Sequence, residues 1–412
     1  MSVPVLIAAG GEPWEADLVA AAVATDGIDV VRRCVDVADA VATASSGSVG
    51  VALVSVGLPG LDADAVRRLA GTDVLVVAVV GGNETEQAAR QHASALGIAA
   101  VVPWTRLREV PALARDTRRE SVAELALRPT AVERDDAAVP VTDRRRDGLL
   151  TAVWGPSGAP GRSTLARSIA AELAARGRRT ALIDADVDGG TQAAALALLD
   201  EVSGILVAAR DANAGTLTPE TLTASLRWIG PDLGVLTGLP RADRWPSLRA
   251  AAYEALLDVA REIADDVVVD LGLALDDVDE PGFDSAAPRR AAVARHTLAV
   301  ADRVLVVGSP DPVGLSRLAR AVLDVRTRLG IEPDVVVNRL RPTLGWSAGE
   351  VADAVERFTG LRPVALLPDD PAALDHCLVH GYTTVEGAAG SPFRTALVTL
   401  VDRLRVHDAE LA

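Results

Sequence analysis

The stretch LLTAVWGPSGAPGRST, Leu149 to Thr164, decides how this chain reads. Its first half is an apolar run without polar alternation, the pattern of a strand buried on both faces. Its second half turns through glycine and proline into a helical pattern, and such a turn aims backbone N–H groups and a helix N-terminus at an anion. Gly158, Ala159 and Gly161 supply the tight turn, Arg162 stands where a phosphate-binding loop carries lysine, and Ser163 keeps the hydroxyl that such loops offer to magnesium. Pro156 takes the first glycine position, and Pro160 has no N–H to donate. Taken alone, the stretch reads better as a structural turn from strand to helix.

Outward from it, Val-rich runs alternate with helical patterns along most of the 412 residues. In the second half the strand candidates are LLTAVWG, RTALIDAD, LGVLTG, DVVVDLG, RVLVVGS, PDVVVNR and PVALLPDD; before Thr117 they are PVLIAAG, IDVVRRCVD, VGVALVSVG, DVLVVAVVGG and IAAVVPW. This alternation predicts an α/β chain with two doubly wound, mostly parallel sheets. The expected divisions are a first domain at 1–117, a charged, proline-containing linker at 118–147 and a second domain at 148–410.

Composition narrows the function classes. Aromatic residues make up only 3%, so the cores must be built from Val, Leu, Ile and Ala. The net charge of −16, with all 41 basic residues arginine, argues against non-specific adhesion to nucleic acid. Cys34 and Cys377 supply neither a disulfide framework nor a metal quartet; they read as small buried hydrophobes in a reducing cytoplasm. The N-terminal run is too short and unflanked by basic residues for a signal peptide, and no later run reaches the length of a membrane span. The tail FRTALVTLVDRLRVHDAELA has an apolar helical face but ends acidic, so no autonomous membrane anchor is expected. His376 and His380 stand at i and i+4, readable as helix caps or, with Cys377, as a metal site.

The loop, the following IDADVDGGT (Ile183–Thr191), VVVDLG (Val267–Gly272) and VVNR (Val336–Arg339) occur in the order found in deviant-P-loop ATPases, and the second half of the chain resembles the MinD/ParA family. The resemblance implies a P-loop NTPase fold that binds ATP or ADP with Mg2+ and forms a homodimer. It implies that Gly158, Ala159, Gly161, Arg162, Ser163 and Thr164 bind phosphates and that Asn338 and Arg339 lie by the adenine. It further implies that Ser163, Asp184 and Asp270 serve the metal and that Asp186 lies by the attacking water. Acids at strand ends also cap loops and helices, and that plainer reading stands beside the functional one. The family loop carries a further lysine that reaches across the dimer, where this chain has Ser157; arginine at 162 is broader than lysine. Nucleotide binding is therefore expected to be weakened, or kept without fast turnover.

The first half is similar to a response-regulator receiver, with LPGLD after its third strand. The phosphorylatable aspartate's place holds Ser55, the acidic pair's place holds Ala8 and Ala9, and the lysine's place falls near Trp104. Without those groups the domain has no acceptor and no metal ligands, so docking or self-association is the expected role, with a purely structural remnant as the alternative. A receiver-like domain ahead of such an ATPase resembles the CpaE/TadZ branch, which includes septum-site-determining-like proteins. That implies positioning of a pilus or septal assembly through protein partners, with recruitment to a pole, septum or inner membrane face. The alternatives are a pseudo-ATPase scaffold without catalysis and a chromosome-partitioning ATPase.

Overall fold

The computed structural model describes residues 2–72, 74–81, 86–115, 148–158, 161–198, 202–275 and 290–411. The chain divides into two compact units, one of Met1–Arg144 with Asp211–Thr216, the other of Arg145–Arg210 with Leu217–Ala412. The segment 118–147 lies outside the described residues.

The first unit carries β1 (Val3–Ala8), β2 (Ile28–Arg33), β3 (Val51–Ser55), β4 (Leu75–Val80) and β5 (Ala100–Pro103). They form a parallel sheet in the order β2-β1-β3-β4-β5, the flavodoxin-like doubly wound order. Period-two alternation divides β1, β3 and β4 between two cores. Leu6, Ala8, Ala52 and Val54 face one layer, and Val5, Ile7, Val51 and Leu53 face the other. The helices Val37–Ser45 and Ala63–Ala70 start where Asp36 and Asp62 accept the backbone N–H groups of Asp39 and Ala65.

The second unit holds β6 (Leu149–Trp154), β7 (Thr180–Ala185), β8 (Arg227–Ile229), β9 (Leu233–Leu236), β10 (Asp266–Leu271), β11 (Arg303–Gly308), β12 (Asp334–Leu340) and β13 (Ala365–Pro368). The sheet order is β13-β12-β11-β6-β10-β7-β9-β8. Every pairing is parallel except β8 with β9. β8 was not among the expected strands: it is three residues long and mostly exposed, too short to leave a periodic signal. From β6 the chain crosses over to β7 on one side, and later returns to β11 on the other. That makes β6 the topological switch point, at whose carboxyl end doubly wound sheets bind ligands. The C-terminal helix Pro392–Leu411 buries Phe393, Leu397, Leu400 and Leu404 in the core with Leu165, Ile169 and Leu182. Its apolar face is thus used internally. Among the described residues no helix is long and apolar enough to cross a membrane. Cys34 and Cys377 are both buried free thiols.

Candidate functional site

The loop after β6 is shaped by two glycines in the left-handed region, Gly158 at φ 75° and Gly161 at φ 88°. Both also accommodate a close neighbour. A Cβ at 158 would stand 2.3 Å from Nη1 of Arg317, and one at 161 would stand 2.2 Å from Nδ2 of Asn338. Any side chain there would therefore meet both backbone strain and a clash. The helix Arg162–Ala174 follows, and its first intrahelical bond at this end runs from the Leu165 N–H to the Gly161 carbonyl at 2.8 Å. The N–H groups of Arg162, Ser163 and Thr164 precede that bond, so they are the groups a helix start leaves for an anion. The Arg162 guanidinium folds back to donate to the Gly155 carbonyl at 2.8 Å. Ala159 and Pro160 lie outside the described residues.

Behind the loop stand two carboxylates in register on neighbouring parallel strands, Asp184 on β7 opposite Asp270 on β10. Asp184 is 1% exposed and Asp270 is fully buried. Burial pushes both carboxyls well above the ordinary range. For Asp184 the charge of Asp270 adds to that, while the Gln192 N–H opposes it. For Asp270 the Gln192 amide and the Ser163 hydroxyl draw it back down, Asp186 pushes it up, and Arg162 lowers it. The Oδ1 atom of Asp270 is buried without a hydrogen-bond partner among the described residues.

Gln192, fully buried, ties these elements together. Its Nε2 donates to Asp270 Oδ2 at 2.7 Å and to the Ser163 carbonyl at 3.0 Å. Its Oε1 accepts from Arg167 Nη1 at 3.1 Å, and its backbone N–H donates to Asp184 Oδ2 at 2.9 Å. Burial pulls the Arg167 guanidinium's pKa down, with Asp270 acting against that. Asp184 is seated against glycines, since a Cβ at Gly238 would lie 2.6 Å from its carboxyl carbon and one at Gly190 would lie 3.0 Å from Oδ2. Asp186 is partly exposed, accepts the Asp188 N–H at 2.9 Å and faces Gly272, where a Cβ would lie 2.7 Å from its Oδ1.

The structure thus gathers Gly158, Gly161, Arg162, Ser163, Thr164, Asp184, Asp186, Asp270 and Asn338 at one end of the sheet. Arg339, next in β12, is exposed, with its backbone at φ 62°. Sequence reasoning missed Gln192 and Arg317. A glutamine eight residues beyond Asp184 and an arginine on an exposed helix face carry no local signal. In the first unit, Ser55 is buried at the end of β3, where its Oγ accepts the Gly57 N–H at 3.1 Å. Ala8 and Ala9 are buried at the end of β1, and Trp104 opens the 3-10 turn after β5. His380 Nδ1 lies 2.9 Å from the His376 carbonyl, a contact within the last turn of its helix.

A ParA family ATPase from Chlorobium tepidum TLS is similar in structure, with a TM-score of 0.52 at 17% identity over 61% of this chain and 98% of that one. Over that span the two share a fold. The cell division ATPase MinD of Pyrococcus furiosus gives a TM-score of 0.48 at 19% identity, covering 64% of this chain and all of its own. The septum site-determining protein MinD of Pyrococcus horikoshii OT3, solved with Mg-ADP, gives 0.47 at 17% identity over 62% and 95%. No family model matches the sequence, and no curated protein does either.

Proposed function

We propose that this chain is a MinD/ParA-type protein that binds ATP or ADP with Mg2+ and uses that binding to position a cell-surface or septal assembly. The observation that carries the reading is the buried, in-register Asp184–Asp270 pair beside the Ser163 hydroxyl and the glycine loop. The two buried carboxyls and the Ser163 hydroxyl present only oxygen donors, and among the described residues one carboxyl oxygen has no partner, a set suited to a hard divalent cation. Ser163 and Asp270 would hold the ion, with Asp184 behind them, and the ion would neutralise phosphate charge. The N–H groups of Arg162 to Thr164 would bind phosphate oxygens, and Asn338, against Gly161, would lie where the loop meets β12. Asp186 would orient the attacking water.

Turnover is expected to be slow. Ser157 brings no cation, and the Arg162 guanidinium has a donor engaged by the Gly155 carbonyl. That same contact favours the second reading, a pseudo-ATPase scaffold that keeps the fold and binds partners without chemistry. The proposed domain division remains 1–117, 118–147 and 148–410, with the first domain a receiver-like docking module that lacks an acceptor, as in the CpaE/TadZ branch. Homodimerisation and protein partners at a pole or septum belong to the same proposal, as does a cytoplasmic location. Nucleic acid remains the least favoured partner on charge.

Calorimetric titration of the full chain with ATP and Mg2+, followed by phosphate-release assays on wild type and Asp186→Ala, tests the proposal. Binding with Asp186-dependent release supports the ATPase. Binding without it selects the scaffold, and no binding refutes the nucleotide site. Arg162→Lys should raise affinity if arginine is a handicap there.

A further inference from the structure

Arg317 belongs to the helix Pro312–Leu329, far from the loop in sequence, yet its guanidinium lies on the loop backbone. Nη1 donates to the Ser157 carbonyl at 3.3 Å and lies 2.3 Å from where a Cβ on Gly158 would stand. The side chain is exposed, and among the described residues its contact is the hydrogen bond to the Ser157 carbonyl. Among the described residues one of its five donors is in use, leaving a planar fork available to an anion. The described loop residues from Gly155 to Gly161 carry no charge, and Arg162 is turned toward Gly155. An independent observation points to a ligand in the same place: the fully buried Asp270, beside Ser163 at the helix start, has an oxygen with no partner among the described residues.

We propose that Arg317 is the loop's missing cation, supplied from within the same chain, and that it contacts the terminal phosphate of a bound nucleoside triphosphate. This rests on the reading of the loop as a nucleotide site. Gly158 is then required on two counts, for its left-handed backbone and for the open space over which the guanidinium lies. Contact with the terminal phosphate would favour triphosphate over diphosphate, since a diphosphate lacks that group.

The test uses the full chain and fluorescent ATP and ADP analogues with Mg2+, comparing wild type, Arg317→Ala and the neighbouring exposed control Arg320→Ala. Thermal unfolding of each variant verifies folding. Arg317→Ala should weaken triphosphate binding about tenfold, as expected for one charge-assisted hydrogen bond, and change diphosphate binding by less than about threefold. Arg320→Ala should leave both unchanged. Equal losses for the two nucleotides, or the same loss in Arg320→Ala, would overturn the role of Arg317 while wild-type binding upholds the loop. Wild type that binds neither nucleotide would overturn the loop reading and this inference with it.

Discussion

Replacing Gln192 by leucine keeps side-chain volume close but removes an amide that serves three partners. The Asp270 Oδ2 atom at 2.7 Å, the Ser163 carbonyl at 3.0 Å and the Arg167 guanidinium at 3.1 Å would each lose a hydrogen bond. Two of those partners are charged groups, for which a bond contributes about 1.5–3 kcal/mol, and the third is neutral at about 1 kcal/mol. The sum, about 4–7 kcal/mol, is an upper bound because the pocket will relax. A loss of about 3–5 kcal/mol is expected, a large part of the roughly 5–15 kcal/mol that holds a domain folded. Hydrogen exchange in a urea series, read on peptides from β10 and from the helix Arg162–Ala174, localises the effect to the second unit. The loss should also depend on pH. The Gln192 amide favours the charged form of Asp270 against burial, so without it the carboxyl stays protonated to higher pH. The deficit should therefore be smaller near pH 5 than near pH 8. A change below about 1 kcal/mol, or a pH dependence of opposite sign, would refute the claim that Gln192 ties the site together.

Three further outcomes are expected. Gly238→Ala would push a Cβ to 2.6 Å from the Asp184 carboxyl carbon, and should cost about 1–3 kcal/mol in the same exchange measurement. Arg394→Ala removes the ion-pair partner of Glu172, whose side chain is 4% exposed, and leaves a buried carboxylate uncompensated; a loss of about 3 kcal/mol in chemical denaturation is expected. Because Asp184 and Asp270 both have folded pKa values above the ordinary value of 3.8, their contribution to stability is fully present below about pH 4 and is lost as pH rises through the folded values. Metal-free protein should therefore lose stability from pH 5 upward, and millimolar Mg2+ should flatten that slope in thermal unfolding scans.

What the sequence alone determined about this chain was local. Uninterrupted Val-rich runs separated by helical patterns specify strands buried on both faces, and so two doubly wound sheets, because burial and period are written residue by residue. The glycines of the loop and the acids at the ends of IDAD and VVVD were legible for the same reason: strand ends and tight turns demand particular residue types nearby. Short β8, Arg227–Ile229, was not legible, since three exposed residues on a sheet edge satisfy no pattern. Tertiary structure alone decided how the pieces meet. Sheet order placed β10 between β6 and β7, which set Asp270 in register with Asp184 and made two aspartates at separate strand ends a buried carboxyl pair. It also carried Gln192 under the loop, Asn338 against Gly161 and Arg317 over Gly158. Such contacts depend on crossovers that bring together residues 160 positions apart in the case of Ser157 and Arg317, and no local propensity encodes which strand lies beside which.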